Sequence, residues 1–288
     1  TKENLMHVES NVVYGMYSGL TLLLDVYHPD HPNGYGLIHI SGSGWRAPLG
    51  LDARPLKESG HVQIEGQPLV EAGYTLFTIN HRATPRFHYP APVEDAQRAV
   101  RYVRYHAERY GIHPDRIGAI GGSSGGHLVS MLGVLDGRGD PEDESPINRL
   151  SASVQCVVAR AAPSSFVTEW GSVGAPTMLL GAIVSPDADP GSIEYRRALE
   201  ASPIAHVTPG APPFYLVHGE ADDVVPIVHS EAMAEALRGA GVPVEFRRVP
   251  GIGHGPGLLA DPALRAEVRA WFDEHLRGDK HESRNTPL

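Results

Sequence analysis

Residues 121–127 read Gly121-Gly122-Ser123-Ser124-Gly125-Gly126-His127 and follow directly on the aliphatic run Arg116–Ile120. A short aliphatic run that ends in a glycine-rich segment is typical of a buried strand leading into a tight turn. Glycine permits the strained backbone and the close approach of strand and helix that such a turn requires. The segment therefore predicts a strand–turn–helix unit that presents a serine hydroxyl at the end of the strand.

Two later segments supply the partners that a reactive serine needs. They are His218-Gly219-Glu220-Ala221-Asp222 and Gly251-Ile252-Gly253-His254. A serine hydroxyl is a poor nucleophile at neutral pH, so it requires a base and an acid that orients the base. The chain order serine, acid, histidine is that of the α/β-hydrolases and differs from the orders in chymotrypsin and subtilisin. The spacing therefore predicts a catalytic triad on an α/β-hydrolase fold.

The rest of the chain alternates between short apolar runs and helical patterns. The apolar positions of Pro92–Tyr110 recur every three or four residues, which predicts an amphipathic helix that ends before Gly111. Such alternation predicts a mostly parallel central sheet covered by helices on both faces. The predicted strands are Leu20–Tyr27, Leu37–Ile40, Tyr74–Ile79, Arg116–Gly121, Val154–Ala159, Pro213–His218 and Val244–Val249.

The domain organisation follows from where this alternation fails. Residues from about 164 to 201 are rich in Gly, Pro, Ser and Asp, and in this kind of fold a cap or lid is inserted there. A surface excursion without a role is the alternative. We expect one α/β-hydrolase domain over residues 1–278 that contains this insertion, and a disordered polar tail over residues 279–288.

Composition excludes several classes of partner. The formal net charge of −10 disfavours nucleic acid and anionic membranes as partners. Cys156 is the single cysteine, which excludes an intrachain disulfide framework and a cysteine-based zinc site. No run of 18 apolar residues is present, and nothing in the sequence suggests a metal or an organic cofactor. The first residue, Thr1, fits a secreted protein without its leader as well as a cytoplasmic one, and the oligomeric state stays open.

The residues alone leave two choices open. The pattern G-x-S-x-G fits around Ser123 and also around Ser124, because both serines have glycines two residues away on either side. Asp222 and Asp223 are adjacent, and either could orient the base. A resemblance to known esterases favours one residue in each pair.

Three segments carry this resemblance, which covers roughly residues 22–276. Residues 123–128 resemble the S-A-G-G-H-L run of the hormone-sensitive-lipase-like and BD-FAE-like esterases, and residues 218–226 resemble their H-G-x-x-D-x-x-V-P segment. Residues 249–255 are similar to their V-P-G-x-G-H-G segment. The resemblance implies a serine carboxylesterase in which the nucleophile, acid and base are Ser123, Asp222 and His254.

The segment Ser41-Gly42-Ser43-Gly44-Trp45 resembles the H-G-G-G-W loop of the same family. The resemblance implies that backbone N–H groups of Gly42 and Ser43, together with that of Ser124, form an oxyanion hole. Ser41 and Ser43 depart from the family's histidine and glycine. A serine with positive φ costs about 1–2 kcal/mol, so these departures bear on the brace of the loop and on the size of the pocket.

The resemblance also implies a substrate class. It points to a small-molecule ester with a short acyl group, acetyl or feruloyl among them and carbohydrate-linked in some relatives, that is hydrolysed through an acyl-enzyme without a cofactor. Trp45 and Trp170 are candidates for the substrate pocket. A serine amidase, peptidase or arylformamidase with the same triad is the alternative enzyme. A non-catalytic binding protein is disfavoured, because such proteins typically lose the serine or the histidine.

Overall fold

The computed structural model describes residues 7–167, 174–184 and 187–277. Trp170 and the expected tail, residues 279–288, lie outside these residues, as do parts of the expected insertion. The described strands are β1 (His7–Tyr17), β2 (Leu20–His28), β3 (Gly36–Ile40), β4 (Thr75–Ile79), β5 (Ile117–Gly122), β6 (Cys156–Arg160), β7 (Phe214–Gly219) and β8 (Val244–Val249).

These strands form one eight-stranded sheet in the order β1-β2-β4-β3-β5-β6-β7-β8. β1 pairs antiparallel with β2, and β2 pairs antiparallel with β4. Every later pair in this order is parallel. The predicted mostly parallel sheet is confirmed, and the predicted strands differ from the observed ones by only one or two residues at their ends. The carboxyl ends of β3, β5, β6, β7 and β8 therefore lie along the same edge of the sheet.

Helices cover the sheet on both faces. The α-helices are α1 (Gln67–Glu71), α2 (Ala91–Tyr105), α3 (Ser124–Val134), α4 (Gly174–Leu180), α5 (Ile193–Glu200), α6 (Val228–Gly239) and α7 (Pro262–Phe272). Shorter 3₁₀ or π turns occur at Leu56–Glu58, Val62–Gly66, Pro203–His206, Pro256–Leu259 and Asp273–Arg277.

Successive residues of the central strands enter different hydrophobic cores. In β3, Leu37 belongs to the core beneath α7, whereas Ile38 belongs to the core beneath α2 and α3. In β4, Leu76 and Phe77 divide in the same way. Side chains alternate between the faces of a strand, so a strand covered on both sides is mostly apolar, and a polar residue within it needs a hydrogen-bond partner. This is why β3 and β4 appear in the sequence as short, mostly apolar runs, interrupted by His39 in β3 and by Thr75 and Thr78 in β4.

The helix predicted over Pro92–Tyr110 is shorter in the structure. α2 runs from Ala91 to Tyr105, and hydrogen-bonded turns continue to Gly111, whose φ is 61°. Ala107 and Tyr110 remain buried in these turns. The apolar spacing therefore persists past the end of the helix, which is the reason that the sequence pattern suggested a longer one.

The predicted insertion contains α4 and α5, and hydrogen bonds close its base. Phe166 N–H donates to Ser202 Oγ over 2.8 Å, and His127 Nε2 contacts the Ala201 carbonyl oxygen at 2.8 Å. Tyr89 N–H donates to the Leu179 carbonyl oxygen over 2.8 Å, which attaches α4 to the loop before α2. The role of this segment as a lid stays a prediction. Among the helices that the structure describes, none is long and apolar enough to cross a membrane.

Candidate active site

Ser123 occupies a strained turn between β5 and α3. Its φ is 54° and its ψ is −123°, a conformation that is costly for a residue with a Cβ. The backbone holds this conformation, because Ser123 N–H donates to the Arg160 carbonyl oxygen over 2.8 Å. The neighbouring glycines leave no room for side chains: a Cβ on Gly122 would lie 1.7 Å from Arg160 Nη2, and a Cβ on Gly125 would lie 1.9 Å from the Ile40 carbonyl oxygen.

We expect Gly125→Ala to destabilise the protein by more than about 3 kcal/mol, because the added methyl group meets the backbone of β3 rather than a side chain that can move. Urea unfolding followed by circular dichroism measures the change. Gly239→Ala is the matched control, since a Cβ at this exposed position has nothing within 4 Å. Equal stability of the two variants would contradict the close contact between the turn and β3.

The structure brings the three predicted triad residues together. His254 Nε2 lies 2.9 Å from Ser123 Oγ, and His254 Nδ1 lies 2.7 Å from Asp222 Oδ2. Asp222 follows β7, and His254 follows β8, so each side chain extends from the carboxyl edge of the sheet. Ser124 Oγ instead accepts the Ser43 N–H over 2.8 Å. Of the two serines left open by the glycine pattern, Ser123 is therefore the one that contacts the histidine.

The Asp222 carboxylate is buried and fully hydrogen-bonded. Its Oδ1 accepts the N–H groups of Val224 and Val225 over 3.0 and 2.9 Å. Its Oδ2 also lies 3.2 Å from His218 Nε2. Burial alone would raise the pKa of Asp222, but hydrogen bonds from His218, His254 and the Val225 N–H outweigh burial and hold the pKa well below its usual range. Asp222 is therefore a carboxylate at neutral pH.

Asp223 lies beside this site without entering it. Its side chain is exposed to solvent, whereas that of Asp222 is buried. His218 begins the sequence segment that contains both acids, and the pattern of that segment assigns it no role. Its Nδ1 contacts Ser230 Oγ at 2.7 Å, and its Nε2 contacts the Val225 carbonyl oxygen at 2.8 Å, so its ring is held in place beside Asp222.

Residues 41–45 form the segment that we call the oxyanion loop. Two of its backbone N–H groups, which were predicted to bind the oxyanion, form hydrogen bonds within the protein. The Gly42 N–H donates to His61 Nδ1 over 3.3 Å, and the Ser43 N–H donates to Ser124 Oγ over 2.8 Å. Both predicted loop donors thus have acceptors within the protein. Ser124 is the first residue of α3. The N–H groups in the first turn of a helix, that of Ser124 included, have no acceptor within the helix. The oxyanion hole stays a prediction. The Ser43 N–H can bind an oxyanion only if it breaks its hydrogen bond to Ser124 Oγ.

Trp45 does not line an open pocket. Its side chain is 2% exposed, donates from Nε1 to His127 Nδ1 over 3.1 Å, and packs edge-on against Phe166. The reason for this burial is that Trp45 fills the space between the oxyanion loop and α3. We therefore assign Trp45 to the support of the loop rather than to direct contact with substrate, which corrects the expectation from the sequence. Trp170, the other candidate, lies outside the described residues.

A buried ion pair behind the site was not found by sequence reasoning. Arg160 Nε and Nη2 lie 2.7 and 2.6 Å from Glu65 Oε1, and both residues are almost completely buried. Arg160 Nη1 also donates to the Gly255 carbonyl oxygen over 2.8 Å. Gly255 directly follows His254, the candidate base. Burial would raise the pKa of Glu65, but Arg160 and His39 outweigh it and lower the pKa to about 2.

The His, Cys, Asp and Glu side chains of the described residues do not cluster as metal ligands do. Within residues 7–167, 174–184 and 187–277, no group of three or more His, Cys, Asp or Glu side chains is placed to hold a metal ion. Cys156 is buried in β6, and burial raises the pKa of its thiol. The expectation of a reaction without a cofactor stays a prediction.

Comparisons with known proteins agree with this geometry. Esterase LipQ of Mycobacterium tuberculosis is 31% identical over 280 residues, which cover 92% of this chain and 61% of LipQ. A solved carbohydrate esterase from gut microbiota superimposes with a TM-score of 0.80 at 28% identity, over 96% of this chain and 99% of that one. An acetyl ester-xyloside bifunctional hydrolase from Caldicellulosiruptor lactoaceticus superimposes with a TM-score of 0.79 at 28% identity, over 94% and 98%.

The chain spans about half to three fifths of the length of the curated relatives that it matches. A family model described as BD-FAE matches residues 24–237. That match covers most of the sheet and the turn that carries Ser123. The predicted fold and family are therefore confirmed: this chain has the α/β-hydrolase fold and belongs to the BD-FAE family.

Proposed function

We propose that the protein is a serine carboxylesterase that hydrolyses small acyl esters through an acyl-enzyme. The observation that carries this proposal is the position of the His254 ring, which contacts Ser123 Oγ at 2.9 Å and Asp222 Oδ2 at 2.7 Å. Because Asp222 is a carboxylate, it accepts a hydrogen bond from the His254 Nδ1–H, and this tautomer leaves Nε2 without a proton and able to accept the one from Ser123. The names of the relatives, which are ester hydrolases, support the same class of reaction.

In the first half of the reaction, Ser123 Oγ attacks the ester carbonyl carbon while its proton passes to His254 Nε2. We propose that the oxyanion that forms from the carbonyl oxygen is bound by the Ser124 N–H and, once Ser124 Oγ releases it, by the Ser43 N–H. His254 then gives the proton to the leaving alkoxide as the carbon–oxygen bond breaks. In the second half, His254 takes a proton from water, the hydroxide attacks the acyl carbon, and the proton returns to Ser123 as the acid leaves.

The substrate class that we propose is an acetyl or similarly short ester on a carbohydrate. Two structural neighbours are described as a carbohydrate esterase and an acetyl ester-xyloside hydrolase. The approach of α4 to the oxyanion loop supports a small acyl group, since a Cβ on Gly44 would lie 3.5 Å from Ala175 Cβ. Feruloyl esters, which the family resemblance also suggests, are larger and serve as the competing substrate in the test.

The direct test is a stopped-flow assay with p-nitrophenyl acetate. An acyl-enzyme predicts a burst of p-nitrophenol equal to the enzyme concentration whenever deacylation is the slower step, and trapping at low pH then gives a protein mass increased by one acetyl group on Ser123. Parallel assays use acetylated xylo-oligosaccharides, methyl ferulate and p-nitroacetanilide. Faster cleavage of the anilide than of the esters would favour the amidase alternative over our proposal.

We expect acetyl and butyryl p-nitrophenyl esters to exceed the octanoyl ester at least about tenfold in kcat/KM. Each extra clash of a long chain with a packed wall costs about 1–3 kcal/mol, and 1.4 kcal/mol corresponds to a factor of ten. Ser43 stands where the family has glycine, and we expect its added side chain to disfavour a long acyl chain. A series from C2 to C12 measures the preference, and a maximum at C8 or longer would exclude it.

A further inference from the structure

The imidazole of His61 packs against the oxyanion loop at Gly42. The Gly42 N–H donates to His61 Nδ1 over 3.3 Å. A Cβ on Gly42 would lie 3.1 Å from His61 Cε1 and 3.1 Å from Ser123 Cβ. Gly42 is therefore enclosed between the imidazole and the serine, so any movement of the His61 ring changes where the loop lies relative to Ser123.

The His61 ring is itself backed by the buried ion pair. Its Nδ1 lies 3.9 Å from Glu65 Oε1. Glu65 is fixed by Arg160 at 2.6 Å and by His39 Nε2 at 3.2 Å. Arg160 also donates to the carbonyl oxygen of Gly255, beside the triad histidine. One buried cluster thus supports both the oxyanion loop and the loop that carries the general base.

The hydrogen bond from Gly42 defines the charge state of His61. An Nδ1 that accepts an N–H carries no proton, so the ring is neutral with its proton on Nε2. Burial lowers the pKa of His61 from its usual value of 6.5, Glu65 raises it, and Arg160, His39 and His254 lower it, with a net decrease. Above this pKa the bond to Gly42 forms. Below it, Nδ1 becomes a donor, for which the Glu65 carboxylate is the acceptor within reach.

We infer that His61 is a positioning residue of the proposed reaction: its neutral Nδ1 holds the Gly42 N–H and thereby fixes the oxyanion loop against Ser123. The inference rests on the proposed esterase function. The loop lacks the family's histidine, since Ser41 stands in its place, and Ser41 Oγ is buried without a hydrogen-bond partner. His61 supplies a brace from a different part of the chain, 19 residues further on.

The test compares His61→Phe with His61→Asn. Phenylalanine keeps a ring but removes the acceptor, whereas asparagine places an oxygen where Nδ1 lies. With p-nitrophenyl acetate we expect His61→Phe to lower kcat about 10- to 100-fold with KM changed less than about threefold, since small errors in loop position cost about this much. We expect His61→Asn to stay within about threefold of the native kcat. The melting temperature and circular dichroism of each variant establish that it is folded.

His113→Phe is the matched control. Asp115 N–H donates to His113 Nδ1 over the same distance, 3.3 Å, but at the opposite end of the sheet from Ser123. This variant loses the same type of hydrogen bond, so we expect native kcat and KM. A loss in His113→Phe equal to that in His61→Phe would assign the effect to general destabilisation and overturn the inference.

A pH profile supplies a readout that a merely structural role would not change. Beyond any fall in kcat/KM that the native enzyme and His61→Asn share as the pH drops, the native enzyme is expected to show a second fall of about 10- to 100-fold, as His61 becomes protonated and releases Gly42. Because asparagine does not titrate, His61→Asn is expected to lack this second fall.

The outcomes of these experiments distinguish failure of the inference about His61 from failure of the proposed esterase function. A native enzyme that cleaves p-nitrophenyl acetate, together with a folded His61→Phe of native kcat, overturns the inference and leaves the esterase proposal standing. An equal loss in His61→Asn and His61→Phe also overturns it, because the acceptor would then be irrelevant. A native protein without hydrolytic activity towards any of the esters overturns the proposed function and, with it, this role of His61.

Discussion

Ser123→Ala is expected to lower kcat/KM for p-nitrophenyl acetate by about 10⁴-fold or more, while the protein stays folded. Alanine removes the nucleophile, and members of a triad act as a unit, so the loss of one member costs nearly as much as the loss of all three. Residual activity above the rate in water would come from the oxyanion donors and from binding. Assays at high enzyme concentration, with circular dichroism as the check on folding, measure the loss.

Ser124→Ala is the control for this prediction. Its hydroxyl accepts the Ser43 N–H and lies one residue along from the nucleophile candidate. Its loss frees a donor of the oxyanion loop, and we expect kcat/KM to change less than about tenfold, which is about the effect of one modest hydrogen bond. A phosphonate inhibitor located by mass spectrometry is expected on Ser123. A phosphonate on Ser124, or an inactive Ser124→Ala beside an active Ser123→Ala, would reverse the assignment of the nucleophile.

Asp222→Asn is expected to lower kcat by up to about 10⁴-fold, with a smaller change in KM. Asp222 Oδ2 faces His254 Nδ1 at 2.7 Å and His218 Nε2 at 3.2 Å. An amide presents either an NH₂ group, which opposes these donors, or a neutral oxygen, which cannot stabilise the imidazolium. The NH₂ arrangement favours the wrong tautomer of His254, and the oxygen arrangement leaves the imidazolium without a countercharge. Steady-state kinetics at saturating substrate measure the effect.

Asp223→Asn provides the comparison for this acid. The substitution has the same chemistry one residue away, but the Asp223 side chain is exposed and forms no part of the triad geometry. We expect kcat and KM within about twofold of native, since surface substitutions are usually close to neutral. Comparable losses in both variants would show that the two carboxylates share the role, and the proposed triad would need revision.

Sequence reasoning located the catalytic candidates because they follow local rules. The tight turn at Ser123 leaves no room for side chains at Gly122 and Gly125, and such needs are visible within a few residues of chain. The strands were equally visible, because burial on both faces makes them continuously apolar. The antiparallel pairing of β2 with β4 was beyond the reach of the sequence patterns. Nearby residues do not encode which strands pair.

The hydrogen-bond partners of the oxyanion loop lay beyond sequence reasoning for a related reason. His61 is 19 residues from Gly42, Ser124 is 81 residues from Ser43, and Arg160 is 95 residues from Glu65. Each contact forms only when separate elements pack together. The sequence signalled that the loop had lost its family histidine, yet 16 histidines in the chain left no means of identifying the replacement.

The hydrogen bond from Phe166 N–H to Ser202 Oγ joins the two ends of the segment between these residues. Its two ends meet at one point, and the Phe166 ring packs on His127, a residue of the helix that begins beside Ser123. Chain added or removed between these ends therefore transmits little strain to the triad. The chain between Phe166 and Ser202 is therefore separate from the sheet that positions the candidate triad. A change in chain length between Phe166 and Ser202 leaves in place the strand ends that carry Ser123, Asp222 and His254.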